Sequence, residues 1–532
     1  MSGSPILGRV VVAEPFDERG VAVLREAGAE VVSLVGRPPE DLHEALRNAR
    51  GLIVRSETRV DAQLLARAPR LEVVARAGVG VDAIDVDAAT AAGIVVVNTP
   101  SANTLAATEH TFALLLAAMR HVAQANASVH AARWERKPFI GHELHGKLLG
   151  IVGLGRIGSN IASRAAAFGM HVIAHDPYIA LSRARALGVD LVSFEELLER
   201  AQIVTLHVPL TAQTRGMIDA SALARMRDDA VLVNCARGAV VDADALIAVL
   251  EFGRLRSVAI DVVPQEPPPP GSASARILAH ERVIATPHLG GSTYEALERI
   301  ALELAGDVVR VLGGRPASGA VNAPMLQGAD AERASAFIDL AHRLGALLPQ
   351  LFDDALREEI ALVLQGELEG IDAEPFVAAL LAGALPLVTD RRVTLVNAGT
   401  TARELGVRTA VSREGDASPF RAALVVASGG HRLVGTVLPH GPRIVEIDGF
   451  EIDAIPEGTM LVTRHRDVPG MVGRIGTILG EADVNISTMQ VARAARGGEA
   501  MMVLEVDREV DRVVADAIAR VDGMQRVRLV RL

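Results

Sequence analysis

The chain has 532 residues, half of them hydrophobic and 22% charged, which is too long for one core and predicts roughly three or four ordinary globular domains. A formal net charge of −11 with no basic stripe argues against a nucleic-acid partner, and a single cysteine, Cys235, excludes an intrachain disulfide and a cysteine-based metal site. The N-terminus lacks a basic segment followed by an apolar one, and no apolar run approaches the ~20 residues of a membrane span. A cytoplasmic protein with no membrane association and no metal is therefore expected.

In residues 9–100, short β-branched runs at 10–12, 31–34, 52–54, 71–75 and 94–98 alternate with helical patterns at 19–27 and 41–48. That alternation predicts an α/β layer on a parallel sheet. The unit has no G-x-G-x-x-G, so it is not a nucleotide site. Arg55 and Arg76 each follow a strand, and Gly78-Val79-Gly80 makes a small-residue turn. Ligands of open α/β sheets sit at strand ends, so both arginines are candidates for an anionic substrate, with a solvated surface role as the alternative. From Ser101 the pattern is helical, with Ser101 or Asn103 as cap and an apolar run at 112–119 that predicts burial, in part against another subunit. The only tryptophan, Trp134, lies in the basic segment 133–137 and is a candidate interface anchor.

Residues 147–176, KLLGIVGLGRIGSNIASRAAAFGMHVIAHD, read as strand, tight turn, helix, strand and acid. Gly153 takes the turn's backbone angles, Gly155 lets the main chain approach a pyrophosphate, and Gly158 lets helix and strand pack closely. Arg156 and Ile157 open the helix, whose free N–H groups and dipole favour phosphates. Asp176 closes the second strand, where it takes the ribose hydroxyls, and Pro177-Tyr178 offers no arginine for a 2′-phosphate. This predicts NAD rather than NADP.

Further strands at 202–206, 231–234, 258–261 and 283–285 each end in polar residues. They bring Val208 and Pro209, with Thr214 in the loop that follows, then Cys235 and Ala236, and then Asp261 to the crevice where a dinucleotide lies. Arg237, Glu266 and His288 form a candidate catalytic set from the same strand ends. An arginine can hold a carboxylate, a histidine can take a proton near neutral pH, and a carboxylate behind the histidine sets its tautomer. Cys235 is a small packing residue with no base evident beside it.

The stretches WERKPFIGHELHGKLLGIVGLGRIG, VNCARGAVVD, DVVPQEP and TPHLGGST resemble the D-isomer-specific 2-hydroxyacid dehydrogenases. The earlier ARAGVGVDAIDVDAATAAGIVVVNTPSANTLAATEH matches the same family, so the resemblance covers residues 9 to about 320. It implies NAD as cofactor and Arg237, Glu266 and His288 as the catalytic set. Arg156, Ile157, Asp176, Asp261 and Gly290 then lie around the cofactor, and Gly78, Val79, Gly80 and Asn103 near the substrate. It also implies that the chain completes its first domain after the nucleotide domain. The expected units are residues 1–101 with 290–320 for substrate and 102–289 for NAD, both doubly wound Rossmann-like, the first of them flavodoxin-like.

Residues 321–456 mix helices (331–348, 375–380) with strands (359–365, 393–397, 422–426, 432–437, 444–447) and predict an intervening α+β domain without a chemical cluster. Residues 457–532 run strand, helix, strand, strand, helix, strand, a ferredoxin-like βαββαβ order. The stretch RHRDVPGMVGRIGTILGEADVNISTMQV resembles the ACT domain, which implies an amino-acid effector near Asp467 and Asn485. Asp467 as a plain helix cap is the alternative. Within the dehydrogenase family, an intervening domain followed by ACT matches the long-form members that oxidise 3-phospho-D-glycerate. The resemblance therefore implies that small-molecule substrate, a serine effector and a homotetramer. Its phosphate is expected near Arg55 and Arg76, completed by basic residues at 133–137 of a second subunit. The alternatives are another D-2-hydroxyacid dehydrogenase, such as a glyoxylate or hydroxypyruvate reductase, and an NAD-sensing transcriptional corepressor.

Overall fold

The computed structural model describes residues 7–38, 40–315, 317–324 and 329–532. The first sheet is β1 (Gly8–Val12), β2 (Ala29–Ser33), β3 (Ala49–Val54), β4 (Val73–Arg76) and β5 (Val95–Val97), all parallel in the order β2-β1-β3-β4-β5. Its strands are apolar on both sides because helices cover both faces. Val10, Val12, Ile53, Val73 and Val97 enter one core, while Val11, Leu52, Val54, Val74 and Val96 enter the other. That is the period-two alternation of a strand. The chain leaves this layer near Ser101 and returns through helix Tyr294–Leu312, capped by the Thr293 side chain. Ile300, Leu304, Val308 and Leu312 of that helix join the first of the two cores.

The second sheet is β6 (Leu148–Val152), β7 (His171–His175), β8 (Asp190–Leu191), β9 (Ile203–Leu206), β10 (Val231–Asn234), β11 (Ser257–Ile260) and β12 (Val283–Ala285). Its order is β12-β11-β10-β9-β6-β7-β8, again all parallel. The sequence order reverses between β6 and β9, and this places a ligand crevice at their carboxyl ends. Helix Thr104–Arg120 buries Phe112, Leu115 and Met119 in the same core as Leu149, Ile151 and Val233. The expected side-chain cap at its start is absent, since Asn103 makes no cap hydrogen bond. Beyond it Val122, Val129, Trp134 and Ile140 are all exposed, so Trp134 is not packed within this chain.

The third sheet is β13 (Ile360–Gly366), β14 (Thr409–Glu414), β15 (Ala422–Ser428), β16 (His431–Leu438), β17 (Gly441–Ile447) and β18 (Phe450–Ala454), in the order β14-β13-β15-β16-β17-β18. The helices Ala329–Leu351 and Glu374–Ala384 contribute Leu340, Leu344, Phe376 and Leu380 to its core. The strand expected at 393–397 is instead a turn leading into helix Ala398–Glu404. Asn397 makes that turn: its Oδ1 accepts from Thr394 N at 2.8 Å and its Nδ2 donates to Arg392 O at 3.0 Å. The turn also holds the first domain, because Arg392 donates to Leu71 O at 2.7 Å and Thr394 Oγ1 to Gly93 O at 3.1 Å.

The fourth sheet is β19 (Thr459–Arg466), β20 (Ile486–Arg493), β21 (Glu499–Val506) and β22 (Met524–Arg531), antiparallel in the order β20-β21-β19-β22. That is the ferredoxin-like arrangement. Leu461, Met502 and Leu504 pack under the helices Met471–Glu481 and Arg512–Ala519. Met460, Val462, Met501, Val503 and Val530 point the other way and belong to the core of the third sheet. Among the described residues, no helix is long and apolar enough to cross a membrane.

Candidate active site

At the end of β6, Gly153 has φ +92, and a Cβ there would meet His207 O at 2.6 Å. A Cβ on Gly158 would lie 2.1 Å from Gly153 O, whereas one on Gly155 would meet nothing within 4 Å. Two of the three glycines therefore serve the fold, and the middle one keeps a surface open. Helix Arg156–Ala167 begins at Gly155 with no side-chain cap, so its first N–H groups remain available to an anion. Asp176 Oδ2 accepts from Leu154 N at 2.8 Å and Oδ1 from Tyr178 N at 2.9 Å, which ties the acid to the glycine turn. Arg156 is exposed and Ile157 half-buried beside this turn.

Across the crevice, Thr214 Oγ1 donates to Pro209 O at 2.6 Å and so shapes the loop that follows Val208. Burial pushes the Cys235 thiol up to about 12, and Ala236 beside it is buried. Asp261 is almost wholly buried and accepts from Leu289 N at 2.7 Å, Gly290 N at 2.8 Å, Thr286 Oγ1 at 2.6 Å and His110 Nε2 at 3.1 Å. Burial alone would raise its carboxyl, but these bonds outweigh it and hold the group below the usual range. These residues give a dinucleotide a phosphate cradle, a ribose acid and an anchored carboxylate at the far end, which fits NAD.

Arg237 follows β10 on a turn made by Asn234, whose Oδ1 accepts from Ala236 N and whose Nδ2 donates to Arg237 O, both at 3.0 Å. Its guanidinium donates to Ala236 O at 2.7 Å and pairs with Asp82 Oδ2 at 3.0 Å, reaching across from one sheet's loops to the other's. It lies over Gly80, where a Cβ would fall 2.0 Å from Nη2. His288 has φ +56, uncommon for a non-glycine residue and a marker of a functional constraint. The His288 N–H donates to Asp261 O at 2.9 Å. Its Nδ1 lies 2.7 Å from Glu266 Oε2.

Between the two sheets, Arg55, Arg76, Gly78, Asn103, Glu266 and His288 line one cleft of about 500 Å³. Arg76 is pushed down to about 10 by burial first, then by Arg237 and Arg55, so three guanidiniums crowd one place. Gly78, at φ +143, admits the Arg76 side chain, and the carbonyls of Gly78 and Val79 are taken by Thr99 N at 3.0 Å and Asn98 Nδ2 at 2.5 Å. Among the described residues, Asn103 Oδ1 is buried without a hydrogen-bond partner. Sequence reasoning missed Glu14, Asp82 and His110. Glu14 carried the one available signal, an acid just past a parallel strand.

In the C-terminal sheet, Asp467 Oδ2 accepts from Gly497 N at 3.0 Å and sits 3.6 Å from Arg493. The alternative of a helix cap fails, since Gly470 begins the helix without any side-chain cap. Asn485 donates to Asp507 at 2.7 Å. Asp467 follows the end of β19 that pairs with Glu499, while Asn485 precedes the end of β20 that pairs with Val506. The two therefore stand at opposite ends of the sheet and do not meet within one chain. Among the described residues, no group of three or more His, Cys, Asp or Glu is placed to hold a metal.

Fold and cleft define a class of nicotinamide-dependent dehydrogenase. The D-isomer specific 2-hydroxyacid dehydrogenase NAD binding domain matches residues 112–290, the D-3-phosphoglycerate dehydrogenase intervening domain residues 333–448, and the ACT domain residues 459–523. D-3-phosphoglycerate dehydrogenase of Bacillus subtilis is 38% identical over 529 residues, 98% of this chain and 99% of its own. That of Mycobacterium leprae is 40% identical over 533 residues, at 98% and 99% coverage. Among solved structures, the TT0316 protein of Thermus thermophilus aligns with TM-score 0.55 and 37% identity, covering 59% of this chain and 99% of that one. D-lactate dehydrogenase of Aquifex aeolicus, solved with NAD and lactic acid, aligns with TM-score 0.52 and 28% identity, at 57% and 96% coverage. The chain belongs to the D-3-phosphoglycerate dehydrogenase family.

Proposed function

We propose that this protein oxidises 3-phospho-D-glycerate to 3-phosphohydroxypyruvate with NAD, the first step of L-serine biosynthesis. The observation that carries the reading is the crowding of Arg55, Arg76 and Arg237 beside the His288–Glu266 pair. Three guanidiniums held together, one of them depressed first by burial and then by the other two, call for a ligand with more than one negative group. Phosphate and carboxylate at the two ends of one small acid meet that demand. Glyoxylate and hydroxypyruvate bring only one, which disfavours the reductase reading, and a corepressor has no use for a carboxylate-backed histidine in such a cleft.

The substrate carboxylate lies at Arg237 and the N–H groups of Val79 and Gly80, the Gly78 N–H being taken by Arg76 O, and its phosphate lies at Arg55 and Arg76. His288 takes the proton of the C2 hydroxyl, and Glu266 behind it stabilises the imidazolium that forms. When bound, NAD would supply the hydride acceptor, with Gly155, Arg156, Ile157 and the turn fixed by Gly153 and Gly158 at its phosphates, Asp176 at the ribose, and Asp261 and Gly290 at the far end. Val208, Pro209, Thr214, Cys235 and Ala236 form the remaining wall. Asn103 Oδ1, buried without a partner, gains a donor when substrate or cofactor enters. Closure of the cleft between the sheets excludes water and aligns the reacting groups.

The ACT domain supports feedback by serine, and the opposite placement of Asp467 and Asn485 means that a site using both needs two copies of the chain. The exposed Val122, Val129, Trp134 and Ile140 supply an apolar surface for such an assembly, a homotetramer, in the cytoplasm. NAD reduction measured across a panel of D-2-hydroxy acids, with and without serine, tests the reading. Preference for 3-phosphoglycerate by orders of magnitude in kcat/KM is the expected result, and equal or better turnover of an unphosphorylated acid would sink it.

A further inference from the structure

Glu14 takes no part in the chemistry above, yet it is one of the few buried acids, 7% exposed. It lies two residues beyond β1, and its carboxylate gathers every backbone N–H from Arg55 to Thr58. Oε1 accepts from Arg55 and Thr58 at 2.9 Å each, and Oε2 from Ser56 and Glu57 at 3.1 Å each. Four successive N–H groups turned onto one point repel one another unless an anion occupies that point, as in the anion-binding nests of loops. Here the anion is built into the chain. Burial opposes its charge, but the hydrogen bonds prevail and hold the carboxyl below its usual range.

The loop so gathered is one rim of the cleft: Arg55, Ser56 and Glu57 line it opposite Glu266 and His288. Without the carboxylate, the four N–H groups would have to turn to water, and the Arg55 side chain would turn with them. Glu14 also places a negative charge near Arg76, offsetting part of the repulsion from Arg55 and Arg237.

We propose that Glu14 is a positioning residue for the substrate phosphate, gathering the N–H groups of residues 55–58 so that Arg55 faces the cleft. The inference rests on the reading that Arg55 takes the phosphate. It predicts an effect confined to phosphorylated substrates, which a merely structural carboxylate would not give.

The test is reduction of 3-phosphohydroxypyruvate and of hydroxypyruvate with NADH by Glu14→Gln, whose amide cannot accept from all four donors. The KM for 3-phosphohydroxypyruvate should rise about tenfold or more, as for loss of a charge-assisted bond, with kcat nearly kept and the KM for hydroxypyruvate unchanged. Equal losses on both substrates, or a fall in kcat at constant KM, would overturn it. Arg55→Gln, measured in parallel, separates the two layers. If it leaves the KM for 3-phosphohydroxypyruvate unchanged, the phosphate reading itself falls. If it raises that KM and Glu14→Gln does not, only the positioning role falls. Should Glu14→Gln fail to accumulate as folded protein, Glu14→Asp carries the test, since it keeps the charge but cannot span the four donors. A selective rise in the same KM supports the role, and an unchanged KM removes it.

Discussion

Glu266 Oε2 stands 2.7 Å from Nδ1 of His288, which leaves Nε2 as the ring atom free to exchange a proton. Replacing Glu266 by Gln keeps an acceptor but removes the charge that favours the imidazolium. We expect kcat to fall about a hundredfold, and further for His288→Ala, while NAD affinity measured by direct titration is nearly kept. Loss of NAD binding, or little change in rate, would contradict these roles.

Asp82 and Ala236 O together orient the Arg237 guanidinium. The Asp82 pair is half-exposed, so Asp82→Ala should lower kcat/KM only about threefold to fivefold. Arg237→Lys should cost about a hundredfold, because a point ammonium cannot keep its protein partners and also hold a carboxylate bidentately. The reverse ranking in steady-state kinetics on the two variants would remove Arg237 from the carboxylate site.

The glycine turn separates folding from binding. Gly155→Val adds a side chain in open space on the cofactor side, so its melting temperature should stay near wild type while the Kd for NAD rises by orders of magnitude. Gly158→Val pushes a side chain into Gly153 O and should not yield folded enzyme. A Gly155→Val protein that binds NAD normally would remove the turn from the cofactor site.

Asp261 has a carboxyl held below its ordinary value of 3.8, so the stability it contributes is present above that value and is lost as pH falls through the lowered one. Asp261→Asn turns an NH₂ toward at least one buried donor and should cost about 3 kcal/mol at neutral pH. The difference between the urea midpoints of variant and wild type should shrink below 3.8. A pH-independent difference would mean that packing, not charge, is lost.

The Cys235 thiol, pushed up to about 12 by burial, carries almost no thiolate near neutral pH. Iodoacetamide should therefore leave activity intact, and rapid inactivation traced to Cys235 would show the site to be more open than described.

The parallel sheets and the four-stranded C-terminal sheet were legible because their strands carry β-branched runs between helical patterns, and the placement of Arg237, Glu266 and His288 at the crevice because each follows a strand of the second sheet. The turn at 393–397 was misread because the run Val393, Leu395, Val396 carries strand-like propensity, whereas Asn397 folds it through side-chain bonds that no periodicity records. Glu14, Asp82 and His110 escaped because each acts on backbone or side chains far away in sequence. His110, for example, meets Asp261 and Thr286 only after the sheet has formed.

The C-terminal sheet is built into its neighbour: Met460, Val462, Met501, Val503 and Val530 are shared with the core of the intervening sheet. Cutting the chain at residue 457 to remove the ACT domain would strip a greasy wall and leave a truncation prone to clump. Single changes at Asp467 or Asn485, the effector positions proposed above, spare that wall.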